Sequence, residues 1–150
     1  MGRRFFAATK RTKYRNEVIV SAFDMSSRDA DPAAAQLGIE WVVEADGCSA
    51  AALGDAAAVT GLIEVVVDTL GLHPVGPPVV HKFPAKGGVT ALLLLSESHL
   101  AIHTFPELEA ATLNLYCCRP RPPFDWQGAL ERHFGARRVS VRTLARGMRE

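Results

Sequence analysis

Apolar and polar residues along this chain follow two periods, one typical of strands and one typical of helices. Residues 39–44 alternate as a half-buried strand does, and residues 112–118 alternate with leucine and cysteine on one face. Residues 59–70 instead carry an apolar stripe with helical spacing, which Asp55 precedes and Gly71 follows. The pattern predicts strands with one polar face and a helix with one buried side.

The other segments complete the predicted architecture. A second amphipathic helix begins near Asp125 and ends at Gly135. The nearly continuous apolar run in residues 89–97 predicts a strand that is central in its sheet, and Pro106 ends the strand that follows it. Further strands are predicted at 79–83, 98–104 and 137–144. This order predicts an α+β fold, a two-layer sandwich with an antiparallel sheet and both helices packed on one face.

Composition limits the class of protein. The 150 residues carry 17 Lys plus Arg and 16 Asp plus Glu, so the net charge of +1 favours neither nucleic acid nor a membrane surface as a partner. No apolar run approaches the roughly 20 residues of a membrane span, and the first 15 residues lack the apolar centre of a secretory signal. The three cysteines have no zinc spacing, and we expect a cytoplasmic protein without a metal.

The chain divides into two predicted regions. Residues 1–37 are basic and then small and polar, which predicts a flexible N-terminal arm. Residues 38–150 contain all the predicted helices and strands, and we expect them to form one domain.

Residues 92–107, LLLLSESHLAIHTFPE, concentrate the candidate chemistry. His99 and His103 have the spacing that pairs two metal ligands on a helix, but on a strand they would lie about 13 Å apart. Ser96 and Ser98 lack the G-x-S-x-G elbow of many serine hydrolases. The segment therefore predicts neither a metal site nor that hydrolase site.

A third chemistry suits this segment better. A serine hydroxyl at a tight bend can attack the carbonyl of the preceding residue and convert the amide to an ester, and elimination then breaks the chain and leaves a pyruvoyl group. The reaction needs a strained peptide, a base and a group that stabilises the oxyanion. The sequence LSE followed by SHLAIH supplies residue types for each role.

These residues carry a family resemblance. SESHLAIHTFPE resembles the processing segment of bacterial S-adenosylmethionine decarboxylase proenzymes, which reads close to SESHLTIHTWPE. The flanking HKFPAKGGVTALLLL, VEADGCS and LNLYCC are similar to other segments of that family, so the resemblance covers about residues 39–144. It implies a self-processing, pyruvoyl-dependent decarboxylase with the two-layer fold predicted above, working as a homodimer.

The resemblance implies self-processing roles for three residues. Ser98 would become the pyruvoyl group that binds the substrate amine as a Schiff base, with cleavage after Glu97. His103 would assist the elimination, and Thr90 stands where the family has a serine that helps processing. The products would be a β chain of residues 1–97 and an α chain of residues 98–150.

Three further residues receive catalytic or binding roles from the resemblance. Cys118, twenty residues after Ser98 as in the family, would protonate the substrate carbon that loses carbon dioxide. Glu107 would hold the ribose of S-adenosylmethionine, and Phe83 would stack on its adenine. The implied product is the aminopropyl donor for spermidine.

The sequence also departs from the family. Ala101 replaces a threonine, Asn114 replaces the acidic residue of a V-D-V strand, and Arg119 replaces the glycine after the cysteine. These positions lie beside the expected substrate region. The resemblance therefore supports self-processing more strongly than it supports the substrate.

Two alternatives stay open. One is a related pyruvoyl enzyme acting on ornithine or arginine, and Phe83 and Glu107 argue against it because they suit adenine and ribose. The other is a non-catalytic homologue that regulates a partner. The presence of Ser98, His103 and Cys118 argues against this second alternative.

Overall fold

The computed structural model describes residues 37–147. The arm predicted for residues 1–37 lies outside the described residues, apart from Leu37. None of the described helices is long and apolar enough to cross a membrane.

Six antiparallel strands form a single sheet within residues 37–147. They are β1 (Gly38–Asp46), β2 (Val79–Lys82), β3 (Val89–Leu95), β4 (Ser98–Phe105), β5 (Ala110–Cys117) and β6 (Arg138–Arg146). Their order across the sheet is β2-β3-β4-β5-β1-β6. The predicted strands are confirmed, and β4 ends at Phe105, directly before Pro106, as expected.

In the described part of the chain, three α-helices accompany the sheet: α1 (Ala50–Leu53), α2 (Ala56–Leu70) and α3 (Trp126–Phe134), and a 3-10 helix, Pro106–Leu108, follows β4. Asp55 caps α2 by accepting a hydrogen bond from the Ala57 N–H at 2.9 Å, and Gly71 ends the helix at φ 60°. Both features confirm the prediction from sequence. The four residues of α1 were not predicted, because so short a segment has no measurable period.

The helices pack on one face of the sheet, which confirms the α+β two-layer fold. Alternate strand residues such as Val43, Leu93 and Leu115 are buried with Leu62 and Phe134 of the helices in one core. The opposite face of the sheet, here called the open face, has no helix against it among the described residues. The open face carries the side chains of Thr90, Leu92 and Leu94 on β3, of His99 and His103 on β4, and of Tyr116 on β5.

The prediction that β3 is central was wrong. β3 is second from one edge of the sheet, and only β2 lies outside it. Leu92 and Leu94 on its open face are 49% and 61% exposed. The apolar run was therefore a poor guide to the order of strands, because apolar residues on an uncovered face give the same pattern as a strand buried on both sides.

Candidate active site

The turn between β3 and β4 holds the Glu97–Ser98 peptide bond. Leu95 pairs with Ser98, so Ser96 and Glu97 alone form a two-residue turn. The Ser96 N–H donates to the His73 carbonyl at 2.9 Å, and the Cys118 N–H donates to the Glu97 carbonyl at 3.0 Å. The predicted tight bend is therefore present.

The strain predicted for this turn does not take the form of a positive φ. Among residues 37–147, Glu109 is the one non-glycine residue with a positive φ, so φ is negative at Ser96, Glu97 and Ser98. The two hydrogen bonds to His73 and Cys118 hold the bend with negative φ values.

Ser98 begins β4 and pairs with Cys117 across the strands. The buried Cys117 thiol has a raised pKa, mainly because burial disfavours the thiolate, while the Ser98 hydroxyl and the Arg121 guanidinium act in the opposite direction. Glu97 forms ion pairs with Arg119 and Arg121. We call Glu97, Ser98, Cys117, Cys118, Arg119 and Arg121 the cleavage cluster.

Cys118 lies beyond the end of β5, and its thiol is exposed. The thiol donates to the Tyr116 hydroxyl, with 3.8 Å between sulfur and oxygen, and that hydroxyl donates to the Leu37 carbonyl at 3.2 Å. The hydrogen bond with Cys118 is the main reason that the pKa of Tyr116 is raised. A thiol and a phenol are thus joined beside the Glu97–Ser98 peptide.

A second group of predicted residues surrounds a groove of about 420 Å³ at the other end of β4. The Thr90 hydroxyl lies 3.0 Å from Nδ1 of His103, directly across the β3–β4 pair. The groove, here called the His103 groove, is lined by Phe83, Lys86, Gly88, Thr90, His103 and Glu107, among others. Four residues proposed from the sequence therefore share one cavity of a size that suits a small-molecule ligand.

Charge and an aromatic ring mark the rim of the His103 groove. Lys86 Nζ lies 3.1 Å from a carboxylate oxygen of Glu107. A backbone hydrogen bond and then Lys86 lower the pKa of Glu107, which favours its ionised form. The Phe83 ring is 47% exposed and contacts His81 edge-on, with 4.7 Å between ring centroids. An exposed ring and a carboxylate can bind a flat base and a hydroxylated sugar.

Residues 37–147 contain no group of three His, Cys, Asp or Glu side chains placed to hold a metal ion.

Comparison with known proteins identifies the family. The sequence pattern described as S-adenosylmethionine decarboxylase matches residues 39–147. This chain belongs to that family. S-adenosylmethionine decarboxylase proenzymes from Methanococcus maripaludis and Acetivibrio thermocellus are similar to it. The first is 31% identical over 116 residues, covering 77% of this chain and 93% of the relative. The second is 34% identical over 118 residues, covering 76% and 91%.

A solved structure supports the fold. The adenosylmethionine decarboxylase of Aquifex aeolicus superposes with a TM-score of 0.65, covering 77% of this chain and 94% of the other. At 24% identity, this likeness concerns the two-layer fold alone.

A single chain of this S-adenosylmethionine decarboxylase family member does not bring the two groups together. Ser98 and His103 are five residues apart on β4, which separates them by roughly 16 Å along the strand. The sequence already held this signal, because the same geometry excluded a metal shared by His99 and His103. The cleavage cluster and the His103 groove are therefore two separate halves of the predicted site.

Sequence reasoning also missed residues near Ser98. Arg119 departs from the family pattern, but the sequence does not predict its ion pair with Glu97, and it indicates no role for Arg121. The sequence does not predict the hydrogen bond between Cys118 and Tyr116 either. The replacement of a family glycine by Arg119, directly after Cys118, was the one signal in the sequence that pointed to them.

Proposed function

We propose that this chain is a self-processing, pyruvoyl-dependent S-adenosylmethionine decarboxylase that supplies decarboxylated S-adenosylmethionine for spermidine synthesis. The observation that carries the proposal is the 3.0 Å hydrogen bond from the Cys118 N–H to the carbonyl that Ser98 would attack. A backbone N–H at this position stabilises the negative charge that develops on that oxygen. The names of the relatives support the same activity.

Self-processing begins at the hydroxyl of Ser98. Its oxygen attacks the Glu97 carbonyl carbon, the C–N bond breaks, and an ester replaces the amide while the Ser98 amine becomes free. A base then removes the Cα proton of Ser98, the Cβ–O bond breaks, and Glu97 leaves as the carboxylate end of the β chain. Addition of water and loss of ammonia convert the remainder of Ser98 into a ketone at the start of the α chain.

His103 and Thr90 suit the elimination step. Nδ1 of His103 lies 3.0 Å from the Thr90 hydroxyl, and in the tautomer whose Nδ1–H donates to that hydroxyl, Nε2 carries the lone pair that accepts a proton. The exposed position of His103 on the open face lets it act on a group outside its own chain.

We propose that a second copy of the chain completes each site. Two chains that meet through their open faces, with their β4 strands antiparallel, bring the His103 groove of one to the cleavage cluster of the other. The exposed Val79, Leu92 and Leu94 support this arrangement, because contact with a second copy removes them from water. A homodimer of processed chains is therefore the active form.

The cleavage cluster fits the pyruvoyl group that this activity requires. The group supplies a ketone that bonds to the substrate amine and withdraws electrons from the bond to the substrate carboxylate. The exposed thiol of Cys118 donates the proton that replaces the carboxylate. Glu107 accepts hydrogen bonds from the ribose hydroxyls, and Phe83 stacks on adenine.

The test measures cleavage of the chain first and release of carbon dioxide second. We expect the purified protein to run as two bands on a denaturing gel, and Ser98→Ala to run as one band of 150 residues. The cleaved protein should release carbon dioxide from S-adenosylmethionine and not from ornithine or arginine. A wild-type chain that stays whole would refute self-processing, and release from ornithine or arginine alone would refute the substrate.

A further inference from the structure

Two arginines hold the residue whose carbonyl is attacked. Nη2 of Arg119 lies 3.0 Å from one carboxylate oxygen of Glu97, and Nη2 of Arg121 lies 3.7 Å from the other. The Cys118 N–H holds the main-chain carbonyl of the same residue. Glu97 is therefore held at three points by one short segment, residues 118–121.

The two arginines differ in their surroundings. The side chain of Arg119 is 61% exposed, so water and salt screen its ion pair. The side chains of Arg121 and Glu97 are 20% and 25% exposed, so their attraction is screened less, although the distance is longer. The Ser98 hydroxyl and the Arg121 guanidinium both act to lower the pKa of the Cys117 thiol, so both lie near that thiol. Arg121 therefore lies near Glu97, whose carbonyl is attacked, and near Cys117, which pairs with the attacking Ser98.

Arg121 has a donor that this arrangement does not use. Its Nε is buried and has no hydrogen-bond partner among the described residues. Cleavage after Glu97 creates a new α-carboxylate, which adds a second negative charge next to the Glu97 side chain. A guanidinium with a free N–H group is suited to donate a hydrogen bond to that carboxylate.

We propose that Arg121, assisted by Arg119, is a positioning residue for self-processing. It fixes the Glu97 side chain so that the Glu97 carbonyl stays on the Cys118 N–H during the attack by Ser98, and it then retains the end of the β chain. This inference rests on the proposed self-processing. It extends that proposal to two residues, one of which stands where the family has glycine.

The experiment follows cleavage of the newly made full chain by denaturing gel and intact mass. We expect Arg121→Gln to slow cleavage roughly tenfold, Arg119→Gln to slow it less, and Arg121→Lys to restore part of the rate because it keeps the charge. Arg137→Gln is the matched control, since it removes an exposed guanidinium whose ion pair with Glu109, at 3.5 Å, lies away from Glu97. It should cleave at the wild-type rate.

A double-mutant cycle tests whether Arg121 acts through Glu97. Glu97→Gln should also slow cleavage, and the double variant with Arg121→Gln should be no slower than Glu97→Gln alone. Additive losses would refute the positioning role. Unfolding temperatures in a Ser98→Ala background separate a folding defect from a processing defect, because none of those chains can cleave.

Hydroxylamine distinguishes the step that Arg121 affects. It cleaves the ester between Glu97 and Ser98, giving a hydroxamate on Glu97 and a free serine amine. We expect it not to accelerate cleavage of Arg121→Gln, because the slow step precedes the ester. Acceleration to the wild-type rate, or an unchanged rate in Arg121→Gln without hydroxylamine, would overturn the inference. A wild-type chain that never cleaves would instead refute the proposed function.

Discussion

Cys117 and Cys118 are neighbours in the sequence, but their side chains point to opposite faces of the sheet. Cys117 is buried beside Ser98, and burial raises the pKa of its thiol. Cys118 is exposed and donates to Tyr116. A thiol must reach the substrate to protonate it, so the accessible Cys118 suits the proposed role better than Cys117 does.

Replacing Cys118 by alanine separates two contributions of the same residue. Cys118→Ala removes the thiol but keeps the backbone N–H that contacts the Glu97 carbonyl. We expect the chain to cleave at the wild-type rate and the decarboxylation rate to fall at least ~100-fold, because general-acid catalysis typically contributes that much. A denaturing gel and carbon dioxide release measure the two effects. An uncleaved Cys118→Ala chain, or a normal turnover rate, would contradict this division.

At the scale of elements, α2 and α3 meet at a histidine. A Cβ placed on Gly61 of α2 would lie 3.3 Å from Cε1 of His133, so the ring packs closely over that glycine. Burial lowers the pKa of His133 below its ordinary value of 6.5, the charge of Arg132 lowers it further, and a hydrogen bond with the Ala58 backbone acts in the opposite direction. The interface between the two helices therefore favours the neutral ring.

This shift makes stability depend on pH. Because the pKa is lower in the folded chain, the unfolded chain binds more protons in the window below pH 6.5, and stability falls as the pH drops through that window. We expect the unfolding temperature of Ser98→Ala to be lower at pH 5.5 than at pH 7.5, with His133 contributing to the difference. Adding His133→Gln should reduce the difference. An unchanged pH dependence in that variant would argue against this assignment.

Sequence predicted some elements better than others for a physical reason. α2 was predicted fully, because Asp55, Gly71 and the apolar stripe are local signals that one helix contains. The position of β3 in the sheet was not predicted correctly, because the order of strands depends on pairing between distant segments. An alternating or apolar pattern predicts a strand without naming its neighbours.

The candidate site also divides into residues that local sequence predicts and contacts that only the folded chain forms. A short motif identified Ser98 and His103, and the interval to Cys118 agreed with the family. The motif does not show that Ser98 and His103 lie far apart along the same strand, although the rise per residue implies this distance. The ion pairs of Glu97 depend on a loop that approaches the turn only in the folded chain, so no local pattern predicted them.

At the scale of the whole molecule, the open face has an apolar side and a charged side. The apolar side is the exposed Val79, Leu92 and Leu94 on β2 and β3. The charged side is a row of three ion pairs between β1 and β6: Arg138 with Asp46, Arg142 with Glu44, and Arg146 with Glu40. These carboxylates are already paired within the chain. A second copy can therefore pack against the apolar side without leaving the charges of this row unpaired.

The proposed homodimer makes a prediction that no single-chain mechanism shares. His103→Ala has an intact Ser98 but lacks the base, and Ser98→Ala has an intact His103 but cannot cleave. If each site takes Ser98 from one chain and His103 from its partner, a mixed dimer contains one complete site. Random pairing of equal amounts then places about half of the His103→Ala chains opposite a normal His103, and we expect that half to cleave.

To measure this cleavage of the His103→Ala chain, the two variants carry different tags, are co-expressed in one cell and are separated on a denaturing gel. The control partner is the double variant Ser98→Ala with His103→Ala, which forms the same mixed dimers but offers no histidine and should rescue nothing. Purified mixed dimers in which the His103→Ala chain stays whole would show that His103 does not act across the interface. Since roughly 16 Å of β4 separates the two residues within one chain, His103 would then have no direct part in breaking the Glu97–Ser98 bond.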